Sequence, residues 1–63
     1  MRHVEITMLK GRTTEQKRRV AERITQALME EAGARREATS IAIVEVEQDS
    51  FAHGGVLVID DKR

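Results

Sequence analysis

The side chains able to do chemistry are few. His3 and His53 are the only imidazoles in the chain. An imidazole can exchange a proton near neutral pH or ligate a metal. Neither histidine has a second ligand at local spacing, so no metal site is expected. Ser40 and Ser50 are hydroxyl nucleophiles by type, yet neither stands in a recognisable triad setting. Gly54-Gly55 reads as a turn before it reads as a phosphate loop. Lys17-Arg18-Arg19 reads as a solvated helix face. Arg12 is the most informative, because it sits between Gly11 and Thr13, where a strand ends and a helix begins. A guanidinium there can clamp a carboxylate through two parallel hydrogen bonds. The adjacent helix N-terminus also favours an anion. By residue type and spacing alone, each of these side chains reads first as surface.

The elements that must position them are short. The chain has 63 residues, of which 40% are apolar and 35% charged. It contains no Cys, Pro, Trp or Tyr, and Phe51 is its one aromatic residue. Disulfides, thiolate zinc sites and cysteine nucleophiles are therefore out. Eleven basic residues balance eleven acidic ones, which argues against a general electrostatic grip on nucleic acid. No apolar run suits a membrane span or a signal peptide, so a cytoplasmic protein with no membrane partner is expected. One domain covering residues 1–63 is the reasonable count.

Three segments carry three different periods. Residues 2–9, RHVEITML, alternate as a strand, with Val4, Ile6 and Met8 on one face and His3, Glu5 and Thr7 on the other. Thr13 and Gln16 have the spacing of a capping box. Val20, Ile24, Ala27 and Leu28 then fit one stripe of a helix predicted over 14–32, with Gly33 as its stop. Glu15–Arg19 and Arg18–Glu22 are expected ion pairs on its solvated sides. Residues 39–46, TSIAIVEV, read as a strand covered on both faces. Gly54-Gly55 and VLVI at 56–59 suggest a C-terminal hairpin arm.

This order predicts an α/β (α+β) chain: a right-handed β-α-β unit with parallel strands, followed by a β-hairpin. One helix can cover only one face of that sheet. Ile41 and Ile43 point to one face, and Ala42, Val44 and Val46 to the other. Something outside the chain must cover the second face, and self-association is the simplest answer. A domain of this size is also marginal alone, because it buries only about 60% of its unfolded surface.

The whole pattern resembles the 4-oxalocrotonate tautomerase family. The first strand, LKGRTTEQK, the amphipathic helix, the apolar strand ending at Glu45 and SFAHGG all contribute, and GRTTEQK at 11–17 is the most specific part. The resemblance implies a β-α-β fold assembling as a hexamer, a trimer of dimers. It implies isomerase chemistry, the interconversion of enols and ketones of small unsaturated oxo-acids. Relatives hydrate, dehalogenate or decarboxylate similar acids. No metal or organic cofactor is implied. The partner is a small carboxylate-bearing molecule.

The resemblance also assigns positions. The family's general base is an N-terminal proline whose amine has a lowered pKa. The matching residue is Arg2, and a guanidinium stays protonated. Arginine is also too large for the usual removal of Met1. A retained Met1 displaces the terminal amine by up to about 3.3 Å along an extended strand. Arg12 matches the arginine that binds the substrate carboxylate, and Phe51 the aromatic wall of the pocket. Ser40 stands where a second arginine polarises the substrate carbonyl from a neighbouring subunit. Arg35 and Arg36 are the nearest substitutes for that charge. His53 lies near the water-activating carboxylate of the dehalogenase branch.

Impaired standard tautomerase activity is therefore expected, since loss of a general base costs about 10² to 10⁴ in rate. Two alternatives remain open. A heterohexamer can take its proline from a partner chain. A different base, the Met1 amine or His53, can support hydratase or dehalogenase chemistry. A ribbon–helix–helix DNA-binding dimer fits poorly, because residues 39–46 do not read as a second helix.

Overall fold

The computed structural model describes residues 1–62. Strand β1 is Arg2–Leu9, helix α1 is Thr14–Ala32 and strand β2 is Thr39–Val46. These are the spans the periodicities predict. β1 and β2 pair in parallel, from Arg2 opposite Thr39 to Leu9 opposite Val46. The Lys10 N–H donates to the Val46 carbonyl at 2.9 Å and carries the pairing past the strand end. Strands β3 (Ala52–His53) and β4 (Val56–Leu57) form a separate antiparallel hairpin. Among the described residues, no helix is long and apolar enough to cross a membrane.

The hairpin arm is shorter than VLVI suggests. Gly54 and Gly55 have φ of 59° and 84°, the left-handed values a tight hairpin turn requires. The Val58 N–H still donates to the Phe51 carbonyl at 2.9 Å, but Val58–Asp60 then coil into a 3-10 turn. The partner strand has ended by then, because Gln48–Ser50 are themselves a 3-10 turn.

Both ends of α1 are closed locally. Thr13 Oγ1 accepts from the Gln16 N–H at 3.1 Å, and Gln16 Oε1 accepts from the Thr13 N–H at 2.9 Å. This is the capping box expected from the sequence. After Gly33, the Ala34 N–H reaches back to the Leu28 carbonyl at 3.1 Å.

The half-buried face of α1 carries Lys17, Val20, Ala21, Ile24, Thr25, Leu28 and Met29. Ala27, expected in this stripe, is exposed. Successive helical residues turn by about 100°, so a stripe centred near Leu28 leaves Ala27 at its margin. Lys17 is also not part of a solvated face. Its ammonium donates to Glu45 Oε1 at 2.9 Å, with the two side chains only 28% and 22% exposed.

The outer ion pairs differ in part from expectation. Arg19 meets Glu15 at 3.4 Å as expected, but Arg18 turns back to Glu15 at 2.6 Å rather than forward to Glu22. Glu22 is taken by Arg36, whose Nη1 donates to both carboxylate oxygens at 3.2 and 2.8 Å. Arg36 comes from the 3-10 turn before β2, so this pair ties that turn to the helix.

The helix covers the sheet face that carries Val4, Ile6, Ile41 and Ile43. The opposite face carries His3, Glu5, Thr7 and Leu9 from β1, and Ser40, Ala42, Val44 and Val46 from β2. Val44 is 40% exposed there. No described residue is fully buried. The radius of gyration is 14.7 Å, against about 11 Å for a compact chain of this length. Phe51, Val56 and Ile59 on the C-terminal arm are also about half exposed.

Three outcomes follow from this architecture. Thr13→Ala removes the helix cap and is expected to cost about 1 kcal/mol in chemical denaturation, while Thr13→Ser retains most of it. The open face predicts association, so the thermal midpoint should rise with protein concentration. A midpoint independent of concentration, with a monomeric mass in sedimentation, counts against it. The third outcome concerns Glu45. The Lys17 hydrogen bond holds its carboxyl below the usual glutamate range, against the opposing effect of desolvation. A depressed folded pKa gives stability above the unfolded value of about 4.3 that is lost as pH falls through the folded value. Thermal unfolding of Lys17→Met should therefore show its deficit near neutral pH, with that deficit shrinking under acid.

Candidate functional site

The parallel register brings one group of sequence-predicted residues to the starting end of the sheet. His3 lies opposite Ser40, and Arg2 lies opposite Thr39. His3 Nδ1 is 2.7 Å from Ser40 Oγ, and His3 Nε2 is 3.6 Å from Glu5 Oε1. Arg2 is on the other face, where it lines an open groove with Met1, Gly33, Ala34, Arg35 and Ala38. Met1 is 94% exposed. Arg35 pairs with Glu37 at 2.9 Å and Arg36 with Glu22, so both guanidiniums near Ser40 in sequence have a carboxylate.

A second group gathers at the finishing end. Gly11, at φ 133°, redirects the chain from the end of β1 into the helix cap. That turn presents Arg12 at the start of α1. Arg12 lines an open cavity of about 330 Å³ with Gln16, Arg19, Val20 and Arg23. Arg19 is compensated by Glu15. Among the described residues, no carboxylate pairs with Arg12 or Arg23. The groove is positive, open and next to the positive end of the helix dipole, which suits a carboxylate ligand.

Phe51 lines a small apolar cavity of about 120 Å³ with Thr7, Met8, Leu9 and Val46. Its loop is pinned to β1 by Lys10, which donates to Glu47 Oε1 at 2.9 Å. That hydrogen bond and the Glu47 charge hold the Lys10 ammonium above the usual lysine range. His53 is exposed on β3, opposite Val56. No three His, Asp or Glu side chains gather as a metal site among the described residues.

The two groups are therefore separate. From Arg2 to Leu9, β1 extends about 23 Å at about 3.3 Å per residue. Arg12 and Phe51 lie beyond one end, and Arg2 and Ser40 lie at the other. One chain cannot bring all four to a single small molecule.

Among the polar contacts that the sequence does not foresee, two bear on the sheet faces. Lys17–Glu45 had a signal, since Glu45 interrupts the apolar row of Ile41 and Ile43 that faces the helix. His3–Ser40 had none, because it depends on the strand register.

Residues 3–61 match the family model described as tautomerase enzyme. The chain is 40% identical over 60 residues to the 2-hydroxymuconate tautomerase of Bacillus subtilis strain 168, covering 95% of this chain and 97% of that protein. It is similar to a structure from a study of the 4-oxalocrotonate tautomerase isozymes of Methylibium petroleiphilum. That match has a TM-score of 0.89 and 39% identity, over 97% of this chain and 98% of the other. A heterohexamer 4-oxalocrotonate tautomerase from Chloroflexus aurantiacus J-10-fl matches with a TM-score of 0.90 and 30% identity, over 95% and 97% of the two chains. With the β-α-β architecture in place and family likeness running almost from end to end, the chain belongs to the tautomerase family.

Proposed function

We propose that this chain is a single tautomerase-like domain that assembles as a cytoplasmic hexamer and binds a small carboxylate-bearing molecule through Arg12. Phe51 supplies the apolar wall of that site. Arg2 at the family's base position leaves the standard enol–keto reaction weak or absent. The observation that carries this reading is Arg12 at the capped start of α1, without a carboxylate partner among the described residues and beside a second such guanidinium, Arg23. Ser40 in place of a carbonyl-polarising arginine points the same way. It is hydrogen-bonded to His3 and carries no charge.

A mixed hexamer is the second reading. Arg12 and Phe51 lie at the opposite end of β1 from Arg2. A neighbouring chain that brought a proline to the Arg12 end would complete a site to which this chain contributes binding groups. The heterohexamer relative from Chloroflexus aurantiacus makes such an arrangement a natural comparison.

The test is ketonisation of phenylenolpyruvate by the purified chain and by Arg2→Pro, with intact mass reporting whether Met1 has been removed. The processed Arg2→Pro protein is expected to be faster by about 10² to 10⁴. In that background, Arg12→Ala should raise KM with a smaller change in kcat. A natural chain as fast as Arg2→Pro overturns the reading.

A further inference from the structure

His3 is held between a hydroxyl and a carboxylate. Ser40 Oγ lies 2.7 Å from Nδ1, and Glu5 Oε1 lies 3.6 Å from Nε2. The three residues share the sheet face that the helix leaves open. His3 and Glu5 are neighbours along β1, while Ser40 is the cross-strand partner of His3. The remaining positions of that face on the two strands are Thr7, Leu9, Ala42, Val44 and Val46, so among the described residues of β1 and β2 its titratable groups are His3 and Glu5. The charges of α1 lie across the sheet on the other face.

The order of the groups sets their roles. Glu5 Oε1 is beyond hydrogen-bond distance of Nε2, and its negative charge on that side of the ring favours the tautomer with the proton on Nε2. In the neutral ring, Nδ1 is then the bare nitrogen, and Ser40 Oγ–H donates to it. A base thus points at a hydroxyl while a carboxylate lies behind that base. This is the arrangement that activates a hydroxyl for proton transfer.

We propose that Ser40, His3 and Glu5 form a proton relay that, in place of an N-terminal amine, serves a substrate held at the Arg12 end of a neighbouring copy of this chain. The substrate class, a small enol or ketone acid, rests on the tautomerase reading above. Ser40 Oγ takes a proton from the substrate as its own proton passes to His3 Nδ1. Glu5 lies 3.6 Å from the ring nitrogen that keeps its proton throughout. The proton then returns through Ser40 to a different atom of the same substrate. One bond to hydrogen breaks and another forms, and no electrons are lost or gained. Ser40 touches the substrate, His3 stores the proton, and Glu5 is a positioning residue.

The experiment compares the natural chain with His3→Gln, Ser40→Ala and Glu5→Gln. Phenylenolpyruvate ketonisation is followed across the pH range in which histidines titrate, and solvent deuterium incorporation is read by NMR. The relay predicts a slow but measurable natural rate that falls about 10²-fold in His3→Gln and in Ser40→Ala. Glu5→Gln should lower kcat with little change in KM, and Glu5→Asp should recover part of that loss, because Glu5 orients the base without touching the substrate. Acetylating the N-terminus should leave the natural rate unchanged.

The double variant Arg2→Pro/His3→Gln guards against misfolding. Supplied with a proline, it should turn over although His3→Gln alone does not. Natural turnover that His3→Gln leaves unchanged in rate and profile overturns the relay. So does a natural chain with no turnover at all, while activity in Arg2→Pro leaves the tautomerase reading standing. An inactive, processed Arg2→Pro chain is instead the result that removes that reading.

Discussion

A two-stranded sheet has two faces, and this chain has one long helix to cover them. α1 lies over Val4, Ile6, Ile41 and Ile43, and the other face stays open. Hence no described residue is fully buried, although Ile, Val, Leu and Met occupy most of the inward positions. The apolar surface of Val44, Phe51, Val56 and Ile59 has the same origin. A domain of this size has little of its own chain left to supply the missing burial. Its extended shape suits that solution, since the C-terminal arm reaches away from the helix–sheet pair.

That constraint has a consequence for chemistry. The positions implicated by family likeness divide between the two ends of β1. Arg12, Phe51 and the loop held by Lys10–Glu47 lie at one end. Arg2, His3 and Ser40 lie at the other. A strand is a rigid spacer, so no side-chain motion closes that gap. Assembly and site formation are one problem in such a chain, and a mixed assembly changes the site as readily as it changes the interface.

Three polar residues gather at the starting end of the sheet. Arg2 starts β1, Ser40 is the second residue of β2, and His3 touches Ser40. The finishing end has a guanidinium, Arg12, at a capped helix start, without a carboxylate partner among the described residues, and Phe51 on the loop that follows β2. The two ends of the sheet thus differ in kind. One carries unpaired guanidiniums among the described residues. The other carries a hydroxyl, an imidazole and a carboxylate on the open face.

The sequence by itself determined the three main elements, the capping box, the parallel pairing and the presence of an uncovered face. Those are properties of local period and of residues a few places apart. It also marked Arg12, because a guanidinium between Gly11 and an N-cap has a defined setting before any tertiary contact forms. Only the tertiary structure decided the Lys17–Glu45 bridge, the capture of Glu22 by Arg36, the margin position of Ala27 and the His3–Ser40–Glu5 array. His3 and Ser40 are 37 residues apart, and their meeting depends on strand register. A slip of one residue would set His3 against a neighbour on the opposite face. The apolar alternation fixes which face each residue takes, but not which residue of β2 stands opposite His3. That register is settled where the helix packs on the sheet and the Lys10–Val46 bond closes the pairing.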